Sequence, residues 1–95
     1  MNSYEVLYVI TPELDEETNQ SVLDKFAAII TDNGGEIVKT DVWGKRKLAY
    51  TIDYKTEGYY VLVDFNAASE LPRELERNFK NDERILRYMV TRKEA

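Results

Sequence analysis

Two hydrophobic periods alternate along this chain, and the order in which they alternate leaves few folds open. Tyr4-Glu5-Val6-Leu7-Tyr8-Val9-Ile10 is rich in β-branched and aromatic residues, as a strand requires. Thr11-Pro12 ends it, because Pro supplies no ladder donor. Glu13, Asp15, Glu16 and Glu17 follow, where the positive end of a helix dipole favours acids. Val22, Phe26, Ile29 and Ile30 then recur at three- and four-residue spacing, with Leu23 and Ala27 alongside. That pattern predicts an amphipathic helix of about 16–18 residues. Asn33-Gly34-Gly35 stops it with residues suited to a C-cap and turn.

Residues 36–43 and 46–53 both have strand character, and Gly44 between them predicts one long strand with a bend or bulge. The polar run from Asp53 to Gly58 reads as a turn, which makes 59–65 a third strand, hairpinned to the second. A second helix is expected over 69–80, with Ser69 as its cap, Pro72 in its first turn, and Leu75 and Phe79 on one face. After a loop at 81–83, residues 85–91 form the last strand. The order is β-α-β-β-α-β within one domain spanning residues 1–95. With right-handed crossovers this gives an α+β sandwich: a four-stranded antiparallel sheet with both helices on one face.

Strand alternation sorts the faces. Tyr4, Val6, Tyr8 and Ile10 share one side of the first strand, and Tyr59, Val61, Val63 and Phe65 share one side of the third. These bulkier sets are expected under the helices. Leu7, Val9, Tyr60 and Leu62 then fall on the open face, with Met89 and Ile85 of the last strand extending the patch. Scattered apolar residues are normal on any surface, whereas a contiguous patch marks a docking surface for another protein.

The chain has no Cys and no His. The usual zinc ligand sets, Cys–His and Ser–His–Asp nucleophiles and a histidine base are therefore excluded. No catalytic constellation remains, and no cofactor or metal is expected. The N-terminus lacks a basic flank before an apolar stretch, and no apolar run is long enough to span a membrane. Net charge is −5, but it is unevenly spread. Residues 1–41 hold two cations against nine acids, while residues 42–95 hold eleven cations against nine. A basic contact patch is compatible with an acidic total, because salt screens the remainder beyond about 10 Å.

The strongest local motif is Trp43-Gly44-Lys45-Arg46-Lys47-Leu48-Ala49-Tyr50, a basic triplet with an aromatic on each side. Lys and Arg pair with phosphates, and Tyr and Trp can stack on bases. A bare basic triplet is commonly no more than a solvated face, and alternation sends Lys45 and Arg46 to opposite sides. A second basic group comprises Arg84, Arg87 and Arg92, followed by Lys93. Charge on the final strand also discourages edge-to-edge aggregation. The two groups and the N-terminal edge could share one rim.

Two other readings fail on specific residues. The segments Leu7 to Pro12 and Gly58 to Phe65 look somewhat like the paired signatures of an RNA-recognition motif. Asp64 occupies the place of the last stacking aromatic, however, and Glu57 that of the basic residue before the glycine. An acylphosphatase-like site needs an anion-cradling loop after the first strand, and Thr11-Pro12-Glu13-Leu14-Asp15 is acidic and lacks Gly. Asp15-Glu16-Glu17 fan around a helix instead of converging on a metal, so they belong to the helix start.

End to end, the chain resembles the bacterial small-subunit ribosomal protein S-six family. The resemblance rests on Tyr4-Glu5-Val6, on Thr11-Pro12 before an acidic helix start, and on Gly44 with Arg46-Lys47-Leu48-Ala49-Tyr50-Thr51-Ile52. Gly58-Tyr59-Tyr60 and Ile85-Leu86-Arg87-Tyr88-Met89-Val90 complete it. It implies a ferredoxin-like fold and a structural, non-enzymatic role in the ribosome, in the cytoplasm. It also implies binding to the central domain of 16S ribosomal RNA together with ribosomal protein S-eighteen. Tyr4, Arg46, Lys47, Tyr50, Arg84, Arg87 and Arg92 would then meet RNA, while Leu7, Val9, Tyr60, Leu62 and Met89 would meet the partner protein. Asn2 and Ser3 stand where some members carry basic residues. The alternative, from another class, is a regulatory domain of the same topology that binds a small molecule and dimerises through its sheet.

Overall fold

A computed structural model describes residues 1–52 and 54–93. The elements are β1 (Asn2–Ile10), α1 (Glu16–Asp32), β2 (Glu36–Ile52), β3 (Lys55–Ala67), α2 (Leu71–Lys80) and β4 (Ile85–Arg92). They form one four-stranded sheet in the order β2-β3-β1-β4, with every neighbouring pair antiparallel. The β-α-β-β-α-β order expected from the hydrophobic periods is the observed one, and it is the ferredoxin-like arrangement that the family resemblance implies.

Asp15 caps α1, its carboxylate accepting from the Thr18 amide at 2.8 Å, and Glu16 and Glu17 fill the first turn. Hydrogen bonding to Thr18 lowers the Asp15 pKa below its ordinary value. Val22, Phe26 and Ile30 are buried, four residues apart, as one stripe of the helix. α2 starts differently from expectation. Its cap is Glu70, with no side-chain hydrogen bond, and not Ser69. Leu71 must enter the core at the first helical position, and its amide is satisfied by the Ala68 carbonyl at 3.1 Å instead.

The core is aromatic at its centre. Phe26 and Phe79 stack at 4.2 Å between centroids, joining α1 to α2, and Tyr8 of β1 lies 5.1 Å from Phe79. Tyr88 of β4 stacks on Phe79 at 5.3 Å. Tyr4, Val6, Tyr8 and Ile10 all face this core, as do Val61, Val63 and Phe65.

β3 is longer than the sequence indicates. Lys55 to Gly58, expected as turn, pair with β2 through Lys55↔Ile52, Glu57↔Lys47 and Gly58↔Arg46. Asp53 lies outside the described residues. β1 ends at Ile10, opposite Tyr59, so this part of the β2–β3 hairpin runs beyond β1 as a free arm. Most of its side chains face solvent, which is why its residues show no apolar alternation.

The arm bends back over the sheet. Gly44 adopts φ +79, and the β2–β3 register shifts between Val42 and Gly44, so the expected bend is a bulge there. Beyond it, Gly58 sits directly on Val9. A Cβ at Gly58 would collide with the Val9 side chain, and Leu48 lies alongside. Val9 is only 2% exposed, although it belongs to the face without helices. Farther out, Tyr50 accepts a hydrogen bond from Nη1 of Arg87 at 2.8 Å, so the arm reaches across to β4. Lys55 pairs with Glu13 in the β1–α1 loop and ties the base of the tip.

The turn before β4 is held by Asp82, whose side chain is 5% exposed. Its carboxylate accepts from Arg84 Nε at 2.9 Å, Arg84 Nη2 at 2.8 Å, the Arg84 amide at 3.0 Å and Lys25 Nζ at 2.9 Å. The Arg84 guanidinium, aided by Lys25, holds the carboxyl far below its ordinary value of 3.8. The lowered native pKa makes this contribution complete above the unfolded value and lost as pH falls through the native one.

Two outcomes follow from this packing. Asp82→Asn should cost about 1.5–3 kcal/mol in urea unfolding at neutral pH, from lost charge-assisted bonds. The gap from the parent protein should narrow below about pH 4, where the unfolded chain takes up a proton that the native carboxylate still resists; a gap constant with pH would contradict the assignment. Gly58→Ala should destabilise by about 1–3 kcal/mol through overpacking on Val9, and full parental stability would show that the arm does not press on β1.

Candidate nucleic-acid and partner-binding face

Helices cover one side of the sheet, and the other side is the candidate site. The register sets its rows. Leu7 lies between Leu62 on β3 and Met89 on β4, and Val9 lies between Tyr60 and Arg87. A depression of about 190 Å³ is lined by Leu7, Val9, Tyr60, Arg87, Tyr88 and Met89. The partner-docking candidates Leu7, Val9, Tyr60, Leu62 and Met89 are thus neighbours on one face. Met89 is the most open of them at 50%, whereas Val9 is roofed by the arm.

Ile85 departs from expectation. Counting back from Met89 places it on this face, but it packs against the core. The β1–β4 register slips between Val9↔Arg87 and Ile10↔Ile85, leaving Leu86 without a β1 partner. One extra residue in a strand reverses its side-chain parity.

The cationic candidates separate into groups. Arg46, Lys47, Tyr50 and Arg87 gather about the arm. The Arg46 Nε donates to the Trp43 carbonyl at 3.3 Å, and Lys47 lies across from Glu57. Arg87 lies over the Tyr50 ring, 5.7 Å from its centroid, as well as bonding its hydroxyl. Arg84 lies at the turn leading into β4, and its guanidinium is already engaged by Asp82.

Tyr4 and Arg92 are paired at the far end of β1. Arg92 Nη2 donates to Asn2 Oδ1 at 2.9 Å, and Asn2 Nδ2 donates to the Tyr4 hydroxyl at 3.3 Å. The Tyr4 ring itself is core, stacked on Phe65 at 5.5 Å. These residues border a separate depression of about 570 Å³ with Ser3, Asn66 and Lys93. The strand between the two ends spans roughly 16 Å at ~3.3 Å per residue. The basic groups and the N-terminal edge therefore do not share one rim. Strand direction decides this, since Arg87 and Arg92 lie toward opposite ends of β4.

The place of Asp64 follows from strand alternation. It is on the open side, within 3.4 Å of Lys93 Nζ, and its neighbour Phe65 is core. The RNA-recognition-motif arrangement is absent for that reason. A residue outside the sequence-derived RNA and partner sets also lies on this face. Trp43, at the bulge, is brought parallel to Tyr60, with ring planes 10° apart and centroids 6.1 Å apart. Its signal in the sequence is an aromatic immediately before the glycine of a bent strand.

Known proteins share this architecture. Residues 3–92 match the model of the family described as Ribosomal protein S6. The small ribosomal subunit protein bS6 of Thermoanaerobacter pseudethanolicus is 50% identical over 92 residues, covering 97% of each chain. That of Clostridium acetobutylicum is 48% identical over 90 residues, covering 95% of each. The crystal structure of 30S ribosomal protein S6 from Thermotoga maritima superposes with a TM-score of 0.92 at 29% identity, over 97% of this chain and 87% of that one. The sheet, its uncovered face and the sequence similarity along nearly the whole chain converge: this chain belongs to the ribosomal protein S6 family, a family of structural ribosomal proteins and not of enzymes.

Proposed function

We propose that this small-subunit ribosomal protein binds the central domain of 16S ribosomal RNA jointly with ribosomal protein S-eighteen. The observation that carries the reading is the helix-free face, where an apolar strip adjoins a cationic arm. Leu7, Leu62, Tyr60 and Met89 offer the strip to a protein, with Val9 supporting it from beneath. Arg46, Lys47 and Arg87, with Tyr50 beside them, offer cations and a hydroxyl to RNA. Tyr4 and Arg92, at the other end, would supply a second and separate phosphate contact. Arg84 acts through Asp82, by fixing the start of β4 and with it the position of Arg87.

Charge explains why the binding should be joint. The chain is acidic overall, and the acids of α1 repel a polyanion. A basic partner seated on the apolar strip would remove that penalty and extend the cationic surface. Phosphate contacts position the complex, and such contacts weaken with salt as counterions are released.

A filter-binding titration with central-domain RNA should show weak retention by this protein alone and tight retention when the partner is added. Equally tight binding alone would contradict the joint mechanism. Replacing Arg46 and Lys47 together by Ala should flatten the salt dependence of the complex, by about one in log–log slope for each phosphate no longer neutralised. An unchanged slope would remove the arm from the RNA surface.

A further inference from the structure

Beyond phosphate contacts, the bulge in β2 assembles a surface suited to one unpaired base. Trp43 is the one tryptophan of the chain. It is 39% exposed, an unusual state for so large an apolar ring on a strand. Two contacts fix it. The ring lies within 10° of parallel to Tyr60, and its indole N–H donates to Asp41 Oδ2 at 3.2 Å. The indole is thus held in one orientation before any ligand arrives, so little side-chain entropy is left to lose on binding.

Trp43, Tyr60, Arg46 and Lys47 together line an open depression of about 430 Å³. Two near-parallel aromatic rings with two cations beside them are what a nucleotide requires: flat apolar surface for the base and positive charge for the flanking phosphates. The aromatic pair limits what else fits. Asp41 is engaged on the indole N–H and Glu57 lies opposite Lys47, and an acidic peptide would bring charge but no ring to match Trp43 and Tyr60. Stacking itself would tolerate different bases, because every base offers a flat face to Trp43 and Tyr60.

We infer that Trp43, with Tyr60 beside it, stacks an unpaired nucleobase of single-stranded RNA while Arg46 and Lys47 hold the adjoining phosphates. The inference deepens the proposed RNA-binding role and rests on it for the arm being an RNA surface. It adds a class of RNA element, an unstacked nucleotide as opposed to a duplex backbone.

The lone tryptophan supplies its own probe. The full-length protein is titrated at low salt with a fluorescently labelled, mixed-sequence single-stranded hexaribonucleotide, and binding is followed by label anisotropy. Tryptophan emission is recorded in parallel with the unlabelled hexamer. The expected result is quenching that tracks binding, no comparable quenching by the same sequence as a duplex, and about ten-fold weaker hexamer binding by Trp43→Leu. Trp43→Phe should recover most of the affinity because it keeps an aromatic face. Binding without quenching, equal affinity of Trp43→Leu, equal quenching by the duplex, or no hexamer binding would each overturn the stack. So would loss of the hexamer-induced quenching once the partner protein is bound, which would make Trp43 a protein contact. Joint retention of central-domain RNA is scored separately, and its survival in Trp43→Leu would leave the proposed function standing while the stack fell.

Discussion

Everything in this molecule depends on the central position of β1. Hydrogen-bonded on both sides, it must present one face to each side of the sheet, and only one of those sides has helices. Tyr4, Val6, Tyr8 and Ile10 meet α1 and α2 and disappear into the core. Leu7 and Val9 emerge on the opposite side, flanked by Leu62, Tyr60, Met89 and Arg87. A sheet of this kind leaves apolar surface in water unless something covers it. The chain covers part of it itself, by bending the β2–β3 arm until Gly58 rests on Val9 and Tyr50 meets Arg87. The part it leaves open is the part assigned to a partner.

The arm also links stability to recognition. The bulge at Gly44 that curves it is the bulge that places Trp43 beside Tyr60. The contact that latches it, Arg87 to Tyr50, uses two groups also suited to RNA. Ligand binding there would compete with or reinforce a contact that is exposed and hence weakly stabilising by itself. Asp82 plays the complementary part on the buried side, fixing the turn into β4 with four hydrogen bonds so that β4 meets β1 in register.

Most of the fold is legible in the sequence because burial imposes periodicity. Val22, Phe26 and Ile30 announce α1, and the alternation of β1 sorts its two faces correctly, down to Leu7. The features that composition hides lie where burial exerts no such pressure. Lys55 to Gly58 pair as strand without a core to face, so their polar composition reads as turn. Ile85 falls on the wrong face in a simple count because the slip at Leu86 carries no compositional mark. The site is legible as a set of residue types and not as a map. Arg46, Lys47, Tyr50 and Arg87 do gather, but only the fold shows that Tyr4 and Arg92 lie at the other end and that Arg84 is held by Asp82. Trp43 is visible as an aromatic beside a basic run, but its partner Tyr60 becomes apparent only through the β2–β3 register.

The central claim is that the helix-free face is the working face. Hydroxyl-radical footprinting read by mass spectrometry, comparing the free protein with the protein in assembled small subunits, tests it most directly. Leu7, Tyr60, Leu62 and Met89 should lose reactivity on assembly, with Met89 changing most because it is half exposed when free. Leu23 and Ile29, partly exposed on α1 at the helix-covered side, should change far less. Equal reactivity of Met89 in both states, or protection confined to α1, would show that the subunit binds a different surface.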